Sequence, residues 1–325
     1  MEDKIETYIE SSFIVQLCDN VPDLLSDGFN QWKKLYDTIS EKSILLIDSK
    51  DILAQKKDNP LLLNIIKLSK TGGSKIIEYA EYFDRINNDE NTILETVNAS
   101  AIFYLANSNM NNRCGYLISN FEESYQKFSL INKEIEPTSV SRGKGNQFES
   151  WNKYFKNIPP LNTIIIADNY LLDKTESYDK NLFAIIDALI PNYRIDETID
   201  ISIIVKKDLI NYKKKFNLIE EFLENKNNDF NLSIYLTTIN EPHDRIIVSN
   251  YFYVTSGHSL DFFNKKGMIS KETTLNFIPI GSIKSIKSFY EEISRLSKFT
   301  KLSESTSQIM VEGSNTNRIL DYHRG

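Results

Sequence analysis

The feature that most constrains this chain is the alternation of short apolar runs with longer amphipathic segments. Ser43 to Ile47 is an apolar run of strand length, and Pro60 to Leu68 has helical periodicity with proline at a first-turn position. We also predict a strand over Ser12 to Leu17 and a helix over Val21 to Ile39. Strands that alternate with helices favour a mostly parallel sheet covered by helices, so the sequence predicts an α/β fold.

The rest of the first part continues this pattern. We predict a helix over Ile76 to Ile86 and buried strands over Ala101 to Ala106 and Gly115 to Ser119. The acidic segment Met1 to Glu6 lacks the basic start and apolar stretch of a secretory signal, and we predict that it begins a helix. These segments together predict an N-terminal, mostly parallel αβ sandwich.

The later part has a different order, with three strands in succession. The predicted order is β-α-β-α-β-β-β-α. The strands are Thr163 to Ala167, Ile199 to Val205, Asn231 to Thr237, Arg245 to Thr255 and Leu275 to Ile280, and the helices are Lys180 to Leu189, Lys207 to Leu223 and Ile283 to Leu296.

Turn-forming residues mark the boundary between the two parts. The chain has 325 residues, more than one typical domain, and glycine, serine and proline concentrate between Pro137 and Pro160. We predict an α/β domain over residues 1–135, a linker over 136–160, a second α/β domain over 161–298, and a flexible tail over 299–325, which lacks apolar periodicity.

Composition and charge limit the classes of binding partner and the cellular compartment that the sequence predicts. The net charge of −7 lies entirely in residues 1–150, and residues 151–325 balance 22 acidic against 22 basic side chains. No strongly basic face is indicated, so nucleic acid is allowed but not required, and we interpret Lys206-Lys207 and similar pairs as solvated surface. No apolar stretch is long enough to span a membrane. Two cysteines and no signal segment predict a cytoplasmic protein, and the Asn, Lys and Ile content suggests a bacterial one.

One constellation in the later part carries chemistry. His243 and Arg245 lie two residues apart in a predicted strand and therefore share a face. A guanidinium binds phosphoryl oxygens in a planar fork, and an imidazole can attack phosphorus or transfer a proton near neutral pH. Asn250 and Gly257 follow at fixed intervals. We predict a phosphate site here.

The spacing resembles the motif of the phospholipase D superfamily, which is His, one residue, Lys, four residues, Asp, six residues, Gly-Ser. His243, Arg245, Asn250 and Gly257 match those positions in register, and the predicted element order resembles one repeat of that fold. The resemblance implies that His243 is the nucleophile, that Arg245 replaces the lysine, that Asn250 replaces the aspartate, and that His258 replaces the serine. The resemblance also implies phosphodiesterase or nuclease activity without a cofactor, on nucleic acid or a nucleotide, in a role such as a bacterial defence or stress effector.

The site leaves several alternatives open. Only one motif copy is found, so activity requires a homodimer or His258 as the acid. We add Gly257, Ser259, Asp168 and Tyr170 as substrate-binding residues, because Asp168 and Tyr170 follow the strand Thr163 to Ala167. The competing interpretations are a non-catalytic module that binds phosphate or a protein partner, and an ordinary strand held by a surface contact of Asp244 in which His243 is only solvated.

Two further motifs have weaker signals. The carboxylates Asp19, Asp23, Asp48 and Asp51 follow the first two predicted strands and could hold Mg²⁺ in a nuclease that resembles the PIN-like group, although aspartate is also common at helix caps. The segment Ser141 to Gly145 lacks the P-loop pattern and is interpreted as a flexible interdomain loop. No histidine and cysteine spacing predicts a metal site.

Overall fold

A computed structural model describes residues 4–20, 29–56, 58–106, 115–133, 135–159, 161–190, 192–195, 197–206, 210–238, 245–282 and 286–322. The chain divides into two compact units. The first contains Met1–Lys133 with Ile280–Ser288, and the second contains Glu134–Pro279 with Phe289–Gly325. Both units combine helices with sheets, which confirms the predicted α/β class.

The first unit is built on a five-stranded, fully parallel sheet in the order β3-β2-β1-β4-β5. Its elements are β1 (Ile5–Ile9), α1 (Ser11–Asn20), α2 (Phe29–Glu41), β2 (Ser43–Ile47), α3 (Lys50–Gln55), α4 (Pro60–Thr71), β3 (Lys75–Glu78), α5 (Ala80–Asn88), a 3-10 helix (Glu90–Glu95), β4 (Ile102–Tyr104), β5 (Leu117–Ser119) and α6 (Ser124–Asn132). The predicted parallel sheet is therefore confirmed.

Helix α4 begins at Pro60 as predicted, and the residues at its two ends explain why. The side chain of Asn59 accepts hydrogen bonds from the backbone amides of Leu61 and Leu62, which caps the start of α4. Gly72 ends the helix in the left-handed conformation, with φ of 106°. Proline at the first position and glycine after the last turn are the signals that made this helix predictable.

Three predictions in the first unit are wrong. Ile5 and Glu6, predicted as part of a helix, belong to strand β1, and Ser12 to Leu17 belongs to helix α1 rather than to a strand. The segment Ile76 to Ile86 divides into β3 and α5. A short apolar run has no periodicity that separates a buried strand from a buried helix turn, so these errors are of one kind.

Cys18 is buried in α1, and Cys114 lies outside the described residues.

The second unit is built on an eight-stranded mixed sheet in the order β13-β9-β8-β7-β10-β11-β12-β6. Its elements are β6 (Thr138–Val140), α7 (Trp151–Tyr154), β7 (Thr163–Ala167), a 3-10 helix (Thr175–Lys180), α8 (Leu182–Leu189), β8 (Ile199–Lys206), α9 (Tyr212–Glu224), β9 (Phe230–Thr237), β10 (Arg245–Ser249), β11 (Phe252–Ser256), β12 (Thr273–Pro279), α10 (Ile286–Ser305), β13 (Ile309–Gly313) and α11 (Arg318–Tyr322).

The direction of the strands changes at the middle of this sheet. Strands β7, β8 and β9 are parallel, whereas β10 runs antiparallel to β7 and continues into the antiparallel ladder β10-β11-β12. Ile164, Ile165 and Ile166 in β7 are fully buried, as expected for a central strand that is covered on both faces. The predicted single strand Arg245 to Thr255 is in fact the hairpin β10-β11, which turns at Asn250 and Tyr251.

The predicted linker and tail are both part of the second unit. Within residues 136–160, β6 pairs with β12, and the side chain of Arg142 donates to the backbone oxygen of Ser270. The loop from Ser141 to Gly145 is thus packed against its own unit. Residues 299–325, predicted as a flexible tail, contain β13, which pairs with β9, and α11. Among the described residues, no helix is long and apolar enough to cross a membrane.

Candidate functional site

The candidate site lies where β7, β8 and β11 end and β10 begins. Arg245, the first residue of β10, pairs with Ser256 at the end of β11, and the next residue, Ile246, pairs with Ala167 at the end of β7. Arg245 therefore lies between the last residue of β11 and the residue that follows β7, which is Asp168. The carboxyl ends of parallel strands are the usual position of ligand sites in α/β sheets.

Asp168 joins several parts of this edge through hydrogen bonds, and the residue is only 3% exposed. One carboxylate oxygen accepts from the backbone amide of Tyr170 at 2.9 Å. The other accepts from the Ser259 hydroxyl at 2.8 Å and from the Leu260 amide at 2.5 Å. Burial raises the pKa of Asp168, while these three hydrogen bonds and the charge of Arg245 act on it in the opposite direction.

The loop after β11 carries the other predicted residues. Gly257 and His258 are exposed, and the loop backbone is held by Thr273, whose hydroxyl accepts from the His258 amide at 3.0 Å. Ser259 is buried against Asp168. We predicted Asp168 and Ser259 as substrate-binding residues, but both are buried and bonded to each other. Their hydrogen bond holds the loop against the residue that follows β7, and His258 is an exposed polar side chain of that loop.

Asn250 does not belong to this edge, which corrects its predicted place in a catalytic group. Its side-chain oxygen accepts from the backbone amides of Asn162 and Thr163, and its amide nitrogen donates to the Asn162 side chain at 2.5 Å. These residues lie at the start of β7, whereas Arg245 adjoins the end of β7. Five residues of extended strand separate Arg245 from Asn250, about 17 Å. Asn250 is a fully buried cap of the hairpin.

His243, the predicted nucleophile, lies outside the described residues. It precedes Arg245 by two positions in the chain. The described part of the site therefore contains Arg245, the buried carboxyl of Asp168 and the loop with His258.

Lys206 is a site residue that sequence reasoning missed. It is the last residue of β8, the strand next to β7, and its ammonium group donates to the Tyr170 hydroxyl at 3.1 Å. The sequence predicts Lys206 as part of a solvated surface patch. Its position directly after a predicted strand, as with Asp168 after β7, was the available signal, because the ends of neighbouring parallel strands meet at one edge.

The aspartates of the first unit that the sequence predicts as a possible Mg²⁺ site lie on different elements where the structure describes them. Asp48 follows β2 and accepts from the Ser11 amide at 2.6 Å, but Asp19 lies in helix α1 and accepts from Asn59. Asp51 is in α3, and Asp23 lies outside the described residues. Sequence reasoning missed Glu10, which follows β1; burial raises its pKa, and the charge of Asp48 raises it further. Across the described ranges, no group of three or more His, Cys, Asp and Glu could hold a metal.

Comparison with known proteins adds no relative. No protein-family model matches the chain, and no curated protein matches it. The class that the fold and site define is an α/β protein whose second unit has a mixed sheet, with Arg245 and Asp168 neighbouring in the strand register at one edge.

The position of Asn250 leads to a testable prediction. We expect Asn250→Asp, which restores the aspartate of the phospholipase D motif, to leave phosphodiester binding unchanged within about twofold. We also expect a loss of about 1–3 kcal/mol in unfolding free energy, because a carboxylate cannot donate to Asn162 and would be buried without a cation. Urea unfolding and a binding titration measure the two effects. A gain in affinity or activity would contradict the separation of Asn250 from the site.

Proposed function

We propose that the second unit is a phospholipase D-like domain that binds a phosphodiester at Arg245 and cleaves it with His243 as the nucleophile. The observation that carries this proposal is the position of Arg245 between the buried Asp168 and the end of β11, at the carboxyl edge of β7 and β8. The order of elements from β7 to α10 supports the same family, since it keeps the predicted alternation and adds one strand at the hairpin.

The chemistry follows from the charges at this edge. The Asp168 carboxyl lies beside Arg245 in the strand register, and its ionised form would favour one orientation of the Arg245 side chain. A guanidinium has five N–H donors in a plane, so it can face a carboxylate and still donate to phosphoryl oxygens. Lys206 adds a second positive charge at the end of the neighbouring strand.

In the proposed reaction, a nitrogen of His243 attacks phosphorus, and the bond to the leaving oxygen breaks. A proton from the exposed His258, or from a second copy of the chain, neutralises the leaving oxygen. Water then attacks the phosphorus and gives a proton back to the group that acted as the acid, and the bond to His243 breaks. Arg245 stabilises the charge on the non-bridging oxygens in both steps.

The decisive experiment compares His243→Ala and Arg245→Ala with the wild type on a chromogenic aryl phosphodiester and on nucleic acid, in the presence of EDTA. We expect wild-type cleavage without metal, loss of cleavage but not of binding in His243→Ala, and a 10- to 100-fold weaker binding in Arg245→Ala, roughly the effect of one charge-assisted interaction. Arg194→Ala is the matched control, because Arg194 is an exposed arginine paired with Asp229.

Other results separate the competing functions. Binding that depends on Arg245, with no cleavage by the wild type, would support the non-catalytic phosphate-binding module, which the single motif copy favours. Cleavage that EDTA abolishes, and that Asp48→Ala abolishes as well, would support the metal-dependent nuclease of the first unit. Equal binding by the wild type and Arg245→Ala would refute the phosphodiester site.

A further inference from the structure

The edge that holds Arg245 also presents an aromatic ring. Tyr170 is 37% exposed, although it lies only three residues after the central strand β7. The ammonium group of Lys206 lies 4.3 Å from the centre of the Tyr170 ring and also bonds to its hydroxyl. A tyrosine in this position is both partly open to solvent and in contact with a cation.

The Tyr170 ring is held in a defined position relative to the phosphate site. Its backbone amide donates to Asp168, the same carboxylate that adjoins Arg245 and bonds the loop after β11. Its backbone oxygen accepts from the amide of Asp173, which closes a turn. The ring follows β7, Lys206 ends β8 and Arg245 begins β10, which are adjacent strands, so the two cations stand two strands apart, about 10 Å at the backbone. The register places Lys206 and Arg245 on opposite faces of the sheet, so a ligand that reaches both cations crosses the strand-end edge where Tyr170 lies.

Resting on the proposed function, we propose that the ligand of this site is a single-stranded nucleic acid, with one base stacked on Tyr170 and neighbouring phosphates bound by Lys206 and Arg245. An exposed aromatic ring beside cations is the arrangement that binds single strands, because a base stacks on the ring while the backbone meets the charges. Lipid and other non-aromatic phosphodiesters would use only the two cations.

Charge and base accessibility favour a single strand over a duplex. Residues 151–325 carry as many acidic as basic side chains, which is unlike the extended basic surface that duplex binding uses. In a duplex the bases are stacked within the helix and cannot stack on a protein ring without being extruded. A single strand offers its bases directly, so a local site of one ring and two cations is sufficient for recognition.

The test uses fluorescence anisotropy with a labelled oligothymidylate and with an abasic strand of the same length, both in EDTA with the His243→Ala protein to prevent turnover. In this background we expect Tyr170→Leu to weaken oligothymidylate binding about tenfold, the lower range of one base stack, and to leave abasic-strand binding unchanged. Tyr170→Phe should retain most of the affinity. Tyr193→Leu, an exposed tyrosine that precedes the opposite end of β8, should have no effect.

The outcomes separate this inference from the function on which it rests. If Arg245→Ala weakens binding of both strands but Tyr170→Leu weakens neither, the base platform is refuted and the phosphate site stands. If Tyr170→Leu weakens both strands equally, or if Tyr170→Phe is as weak as Tyr170→Leu, a stacking role is refuted. If Tyr170→Leu acts on oligothymidylate alone while Arg245→Ala has no effect, the base platform stands and the proposed phosphate site fails. Absence of binding by the wild-type chain and the parent variant refutes both.

Discussion

Replacing Arg318 with alanine is expected to lower the free energy of unfolding of the second unit by about 3–5 kcal/mol, the cost of removing one partner from a buried ion pair. The Arg318 guanidinium bonds to Asp200 at 3.0 Å, to Glu197, and to the backbone oxygen of Thr198 at 2.7 Å. The side chains of Asp200 and Glu197 are 5% and 13% exposed, so the variant would leave two carboxylates without their cation.

The pH dependence of this loss has a definite sign. Burial raises the pKa of Glu197, and the charge of Arg318 opposes that increase. Without Arg318 the pKa rises further, so the variant loses stability as the pH increases through the folded-state pKa of Glu197 and regains part of it in acid. The difference between wild type and Arg318→Ala should therefore grow from acidic to neutral pH.

The matched control is Arg194→Ala, which removes an arginine from a pair whose two side chains are 62% and 70% exposed. Exposed pairs contribute about 0–1 kcal/mol, so this variant should unfold close to the wild-type midpoint. Urea denaturation followed by circular dichroism measures both. Equal midpoints for Arg318→Ala and Arg194→Ala would mean that the C-terminal helix α11 does not stabilise the unit.

Asp168→Ala is expected to cost about 3 kcal/mol or more of unfolding free energy and to weaken phosphodiester binding, because three donors lose their acceptor. These donors are the amides of Tyr170 and Leu260 and the hydroxyl of Ser259. Asp168→Asn should cost less, since the amide oxygen can still accept from Tyr170 and the Ser259 hydroxyl can accept from the new amide nitrogen. Only the Leu260 amide would lose its acceptor, because it would face the new side-chain NH2 group, which is also a donor.

A pH series distinguishes the charge of Asp168 from its geometry. Because burial raises the pKa of Asp168 above its unfolded value, the folded wild type binds more protons in the window between the two values. Wild-type stability attributable to this group is present below the unfolded pKa and decreases as the pH rises through the folded one. Asp168→Asn lacks this titration, so its deficit should shrink as the pH rises. A deficit that grows with pH would contradict the raised pKa.

Binding measurements on the Asp168 variants add a separate readout. If Asp168 orients Arg245 and the loop, both variants should bind the phosphodiester more weakly even at temperatures where they remain folded. Normal affinity in folded Asp168→Ala would mean that Asp168 serves stability only, and that Arg245 needs no carboxylate to bind phosphate.

The fold was predictable where strong local signals coincide. Ser43 to Ile47 and Thr163 to Ala167 are strands as predicted, because each is a continuous apolar run bounded by polar residues. Ser12 to Leu17 is equally apolar yet helical, since its neighbours along the chain continue a helix and its apolar side chains face one side. Only packing decides between these states for a run of six residues.

The candidate site also contains some residues that the sequence predicts and others that only the structure reveals. Arg245 was found from its spacing to His243, and Asp168 and Tyr170 from their place after a predicted strand. Lys206 was overlooked because its role depends on β8 lying beside β7, which strand order and not sequence decides. Asn250 was assigned to the wrong end of β10, because the linear motif does not reveal that a hairpin turns there.

The sequence alone determined the α/β class and the mostly parallel character of the first sheet, since these depend on local periodicity, and it proposed Arg245 as a phosphate ligand from side-chain chemistry. Only the tertiary structure decided that β13 (Ile309–Gly313) pairs with β9 at the edge of the second sheet and that Asp168 is buried next to the start of β10, where Arg245 lies. Both depend on contacts between residues far apart in the chain, such as Arg318 with Asp200, whose free energy appears only when burial brings the charges together.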